Sequence, residues 1–394
     1  MKKKLLLVVL FTAGSFPLLF AGQAGESWAR LYRRIPDIKQ RYAIIQNLVP
    51  LDDQSLEPFY TSALDELVYG DYSQYRTNKS TYDDWEILTR TIIMELGDIK
   101  GQSAAPIIWD VVKTAKTPLI KSAGLQALGV MRAEEYAPEI AIMLRNLNFN
   151  TSSDKNSAEI EAYGAVAALD KMKAEVGFEP LFYASVGWYH DRVTDYAKKA
   201  VLDFTDDPVP LLKGIMLRAE NYKNKRTALA FAMESSAPAQ SKADIAAAAL
   251  AEGLKYSESD FTLKRQLADL RVDAMKDLIT LGIFPENAPD LLDKAIDEGE
   301  LDEKLVALQA LGADGSDRSA EILASRLSFY NERQISGLTL NNEELLIVRQ
   351  LIFSLGESGN EKGLQPLQEM KFADYTPSLL RMADQAMAKI NGNK

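Results

Sequence analysis

The 394-residue sequence contains no cysteine and a single histidine, His190. Without a thiol there is no disulfide, no cysteine-ligated metal and no lipid attached through an N-terminal cysteine. One imidazole excludes any site that needs two. Positive charge is in short supply, with 45 Lys and Arg against 56 Asp and Glu and a net charge of −11. Duplex and single-strand binding both need a basic footprint, so no nucleic-acid partner is expected. Three motifs are also missing: a Gly-rich phosphate loop, a G-x-S-x-G elbow and an H-E-x-x-H pair. After residue 21 there is no long apolar run without charges, so the rest of the chain is not expected to insert stably in a membrane.

The composition is that of a folded chain, 47% hydrophobic and 26% charged. It opens with Lys2, Lys3 and Lys4, then Leu5 to Phe11 as a compact apolar stretch, then small residues at Ala21, Gly22 and Ala24. That order is the pattern of a secretory signal peptide over residues 1–24, cleaved after Ala24 or, as second choice, after Ala21. The apolar run Leu5–Ala21 is 17 residues long and contains Pro17, short for a membrane span of about 20 residues. Removing three lysines takes the net charge from −11 to −14. An exported chain without cysteine suits the periplasm or envelope of a bacterium.

A pattern then returns along the chain. Lys121–Gly129 and Lys304–Gly312 both contain Leu-Gln-Ala-Leu-Gly, 183 residues apart, and weaker copies end at Leu96-Gly97, Leu281-Gly282 and Leu355-Gly356. Ile120, Ala123, Gly124, Ala127 and Leu128 fall on one helical face, with small residues that admit a close neighbour. The glycine after the last leucine suits the left-handed residue that ends a helix. Eight to eleven residues after a repeat leucine stands a proline, at 58, 106, 138, 180, 210, 289 and 366, each heading an apolar stretch. Proline fits the first turn of a helix, where its missing N–H is not needed. Near residue 320 the pattern continues without one, and 222–280 has the fewest landmarks.

These features resemble the HEAT-repeat family in its short bacterial form, over about residues 37–391. The resemblance implies an all-α fold, a right-handed α-solenoid of stacked antiparallel helix pairs of armadillo type, with nine or ten pairs and essentially no sheet. One pair cannot bury its apolar face alone, so stacking supplies the core. The expected organisation is the signal at 1–24, capping helices with a tyrosine-rich loop at 25–82, and the solenoid at 83–394. The resemblance also implies that the second helices, near 83–96, 118–130, 158–173, 190–204, 222–234, 263–281, 301–312, 342–356 and 376–390, line the concave side.

Polar insertions at 69–82, 148–157 and 329–342 interrupt the pattern. The first carries Tyr69, Tyr72, Tyr75 and Tyr82, and tyrosine is enriched at interfaces. Gly187-Trp188-Tyr189-His190-Asp191 holds the lone histidine. Trp188, Tyr189 and His190 form a candidate binding platform, against the plainer reading of a helix start with packed aromatics. Some HEAT-like enzymes hold a di-iron centre with His-Glu pairs, which one histidine does not supply. The HEAT-like repeat also occurs in phycobilin lyases, but nothing beyond the repeat points that way. Acidic pairs at Asp52-Asp53, Asp83-Asp84, Glu134-Glu135, Asp206-Asp207 and Glu343-Glu344 precede or open helices, where negative charge meets the helix dipole. Asp314-Gly-Ser-Asp317 is read as a turn and cap.

The functional expectation is a scaffold without enzyme activity, cofactor, metal or small-molecule ligand. It docks a protein partner of the cell envelope on the concave face, with the seven aromatic and histidine positions above as partner-binding candidates. The alternatives are a glycan or peptidoglycan binder and a carboxylate-dependent hydrolase.

Overall fold

The computed structural model describes residues 16–150 and 153–392, with side chains from residue 25 onward. The lysines and apolar start of the expected signal lie outside the described residues. Within them are twenty α-helices and no strand. The chain forms two compact units, one ending at Phe204 and the other beginning at Thr205.

The first unit contains α1 (Phe16–Arg34), α2 (Ile38–Leu48), α3 (Glu57–Val68), α4 (Tyr82–Asp98), α5 (Ala105–Thr114), α6 (Pro118–Met131), α7 (Ala137–Phe149), α8 (Lys155–Met172), α9 (Phe178–Ser185) and α10 (Asp191–Leu202). Consecutive helices pack as hairpins, and α2, α4, α6, α8 and α10 pack one on the next as a row. Odd-numbered helices lie on the other side, α3 against α5 and α7 against α9.

The second unit contains α11 (Val209–Arg218), α12 (Tyr222–Glu234), α13 (Ala239–Gly253), α14 (Phe261–Leu281), α15 (Ala288–Glu298), α16 (Leu301–Asp314), α17 (Asp317–Ile335), α18 (Asn342–Ser358), α19 (Leu364–Glu369) and α20 (Pro377–Gly392). Here α12, α14, α16, α18 and α20 form one row, and α11, α13, α15, α17 and α19 the other. Each of the nine expected second helices falls on an even-numbered helix from α4 to α20.

The prolines explain where the odd-numbered helices start. Pro58, Pro106, Pro138, Pro210 and Pro289 occupy the first two positions of α3, α5, α7, α11 and α15. Pro180 and Pro366 sit third in α9 and α19. All seven stand in the first turn, where no intrahelical N–H bond is lost. Helix α17, which lacks proline, starts instead on Ser316, whose side chain accepts from the Ser319 N–H. Asp314 closes the same turn by accepting from the Ser319 hydroxyl at 2.6 Å, and Gly315 is left-handed (φ 62°). The acidic pairs behave as caps: Asp207 accepts from the Val209 N–H, and Glu344 completes a capping box with Asn341.

The repeat glycine has a different role from the one expected. Gly97, Gly129, Gly312 and Gly356 lie inside α4, α6, α16 and α18, not at their left-handed ends. A Cβ on Gly97 would stand 2.9 Å from Ala127 Cα, on Gly129 2.6 Å from Ala168 Cα, and on Gly312 2.8 Å from Ser354 Cα. Each therefore marks where one helix of a row touches the backbone of the next. The left-handed residue comes three positions later, at Lys100, Arg132, Gly315 and Gly359. The amides of Lys100 and Gly101 return to Gly97 and Leu96, and those of Arg132 and Ala133 to Gly129 and Leu128, closing both helices in a Schellman pattern. In α14 the buried repeat leucine is Leu278, and Gly282 (φ 63°) follows it by four. The repeat register of this copy therefore lies three residues before Leu281-Gly282.

Two buried ion pairs brace the second unit. Lys225 Nζ lies 3.0 Å from Glu252 Oε1 and also donates to the carbonyls of Met216 and Leu217, so it joins α11, α12 and α13. Arg271 donates to both carboxylate oxygens of Glu303 and to the Gly253 carbonyl.

Candidate functional site

The even-numbered row of the first unit carries an open cavity of about 670 Å³. Its wall and floor come from α4, α6, α8 and α10. Met94, Leu119, Ala123, Ile160 and Val193 make an apolar base, and Arg90, Gln126, Asn156, Glu159, Tyr163 and Arg192 set polar groups around it. A second cavity of about 320 Å³, lined in part by Tyr42, Val49, Ile87 and Glu95, shares Arg90 and Met94 with the first. The two are neighbouring parts of one groove along the row.

The lining follows from the repeat. Ile87, Arg90, Thr91 and Met94 stand nine, six, five and two residues before Leu96. Leu119, Ser122, Ala123 and Gln126 hold the same offsets from Leu128, and Ile160 and Tyr163 stand nine and six before Leu169. This spacing is a single helical stripe. The repeat leucine enters the core, and the stripe before it lines the groove. The second unit repeats the arrangement. Arg226, Leu229, Ala230 and Met233 of α12, with Asp273, Lys276 and Asp277 of α14, line a cavity of about 490 Å³. On α18, Leu346 and Phe353 hold the same offsets from Leu355 and are 42% and 50% exposed.

Several contacts fix the polar groups. The Arg192 guanidinium lies over the Tyr163 ring, 4.4 Å from its centroid, and Tyr163 packs on Tyr196. Tyr196 donates to Asp170 at 3.2 Å. Gln126 donates to the Ser122 carbonyl and hydroxyl. Glu159 accepts from the His190 amide at 3.2 Å and lies 2.6 Å from His190 Nδ1. In the smaller cavity, burial and the charges of Asp98 and Asp52 push the Glu95 carboxyl up to about 7. Burial, with Asp52, raises Asp98 as well.

None of the seven sequence candidates lines the larger cavity. Tyr69 is exposed and its hydroxyl donates to Asp110. Tyr72 and Tyr75 stack at 5.5 Å, and Tyr72 also covers the Arg41 guanidinium, 3.9 Å from its ring. Tyr82 shares a hydrogen bond with Thr117 and packs on Trp85. Trp188 donates to the Leu147 carbonyl at 3.1 Å, and buried Tyr189 donates to Asn148 at 3.0 Å. These two aromatics fasten α9 and α10 to the end of α7. His190 caps α10 and reaches the rim through Glu159, not through Asp191. Among the described residues no group of three or more His, Asp or Glu is placed to hold a metal ion.

No family model matches the chain, and no curated protein does. Among solved structures, human deoxyhypusine hydroxylase in complex with glycerol is similar to it at 15% identity, over 96% of this chain and 100% of that one, with a TM-score of 0.27. That neighbour is an enzyme, against the expectation of a chain without enzyme activity, and that expectation is withdrawn. At that TM-score its activity is not carried to this chain. No helix among the described residues is long and apolar enough to cross a membrane.

Proposed function

We propose that this chain is an exported HEAT-like solenoid of the bacterial envelope that docks an extended segment of a protein partner along the even-numbered row of its first unit. The observation that carries the reading is the stripe shared by α4, α6 and α8. It sets apolar and hydrogen-bonding side chains side by side over three neighbouring helices of one row. An extended chain presents alternating side chains and unpaired backbone groups. A long groove with an apolar floor and a polar edge suits it better than a closed pocket would. Export rests on Lys2–Lys4 and the apolar residues after them.

The test is photo-crosslinking in the native envelope fraction. A benzophenone amino acid is placed at Gln126 in the groove or at Lys113 on α5. The reading expects a discrete protein adduct from position 126 that is absent from position 113. Equal labelling from both positions, or adducts only with cell-wall glycan, overturns it.

A further inference from the structure

The smaller cavity is built unlike the rest of the groove. Tyr42 and Val49 form one wall and Met94 the other, while Glu95 and Asp98 of α4 stand at one end. Glu95 is 4% exposed, yet its carboxylate takes no hydrogen bond and no ion pair among the described residues. Asp98 has no ion pair either, and Asp52 adds its charge from the turn after α2. Lys100, just past the end of α4, is exposed and takes no ion pair among the described residues, and three other cations are engaged elsewhere. Lys39 pairs with Asp84 at 3.6 Å, Arg41 with Glu66 at 2.9 Å, and Arg90, at the boundary with the larger cavity, with Glu86 at 3.8 Å.

A buried carboxylate without a partner is costly, and the rise of the Glu95 carboxyl to about 7 is the expected sign of that cost. The slot has room for an unbranched aliphatic stem between an aromatic ring and a methionine, with negative charge at its end. We propose that it receives a lysine or arginine side chain of the docked partner segment, the stem on Tyr42, Val49 and Met94 and the charged head at Glu95 and Asp98. This rests on the docking reading and adds a requirement for one basic residue in the partner. The head brings donors that both carboxylates lack.

The test pans a phage-displayed library of random peptides, about twelve residues long, on the full chain. The parent protein, Leu119→Asp in the larger cavity, Glu95→Gln and Asp98→Asn are compared. The proposal expects peptides whose capture is lost in Leu119→Asp and which share one Lys or Arg position. It also expects their binding to fall about tenfold or more in Glu95→Gln, and to fall in Asp98→Asn, an exposed site that tolerates the change. Groove-dependent peptides without a shared basic position, or with one indifferent to both variants, overturn this inference and leave the docking reading standing. If no peptide is sensitive to Leu119→Asp, both fall together.

Discussion

Replacing Gly129 by alanine tests how closely the row is packed. In an isolated helix the change is favourable by about 1 kcal/mol, because alanine gives up less backbone freedom. Here the new Cβ would lie 2.6 Å from Ala168 Cα and 3.2 and 3.3 Å from the carbonyl oxygens of Ala168 and Ala167. Carbon atoms settle at about 3.5–4.0 Å, so α6 and α8 must part by about 1 Å. Overpacking of this kind costs roughly 1–3 kcal/mol, enough to reverse the propensity gain. Gly214 supplies the contrast. It also lies within a helix, but its Cβ would meet only the guanidinium end of Arg218 at 3.1 Å, which can swing aside. Native-state hydrogen exchange reads each helix separately. Gly129→Ala is expected to speed exchange of the most protected α6 and α8 amides by about tenfold, near 1.4 kcal/mol. Gly214→Ala should slow exchange in α11. If Gly129→Ala slows exchange in α6 as Gly214→Ala does in α11, the backbone contact between α6 and α8 is wrong.

Three further outcomes follow from side chains outside that contact. Glu95 has a folded pKa near 7 against 4.5 for an ordinary glutamate, so its favourable contribution is complete below pH 4.5 and is lost as pH rises through 7. Relative to Glu95→Gln, the parent should lose roughly 3 kcal/mol across that window in urea titrations, and parallel pH profiles would contradict this. Lys225→Met removes one of the two ammonium groups on buried Glu252, leaving Lys255 at 2.8 Å, and frees the carbonyls of Met216 and Leu217. It should cost about 1–3 kcal/mol in unfolding experiments, and an unchanged stability would contradict it. Arg132 holds a left-handed conformation at φ 56° with an exposed side chain, so Arg132→Gly should raise the unfolding free energy by up to about 1 kcal/mol; a lowered unfolding free energy would contradict it.

Much of the fold could be read before any coordinates because proline has few places to stand. Pro58, Pro106 and Pro138 each fix a helix start to within two residues, and the leucines fix the partner helices. The repeat glycine was misread because glycine serves two needs, a left-handed turn and a close approach, and the letter does not distinguish them. At Lys100 and Arg132 the left-handed position carries a long side chain, so composition gives no hint of it. The groove was missed for a related reason. Aromatics in loops are the conspicuous letters, but Trp188 and Tyr189 spend their polar atoms on Leu147 and Asn148. The readable signal was the stripe nine, six, five and two residues before each repeat leucine. It needs the leucine register first, and at α14 that register was three residues off.

The docking account is tested most directly by hydrogen exchange across the chain with and without a groove-selected peptide. The account predicts slowed exchange in α4, α6 and α8, with α5 and α7 unchanged. Protection confined to α5 and α7, or to the tyrosine segment 69–82, would place the partner on another surface and contradict it.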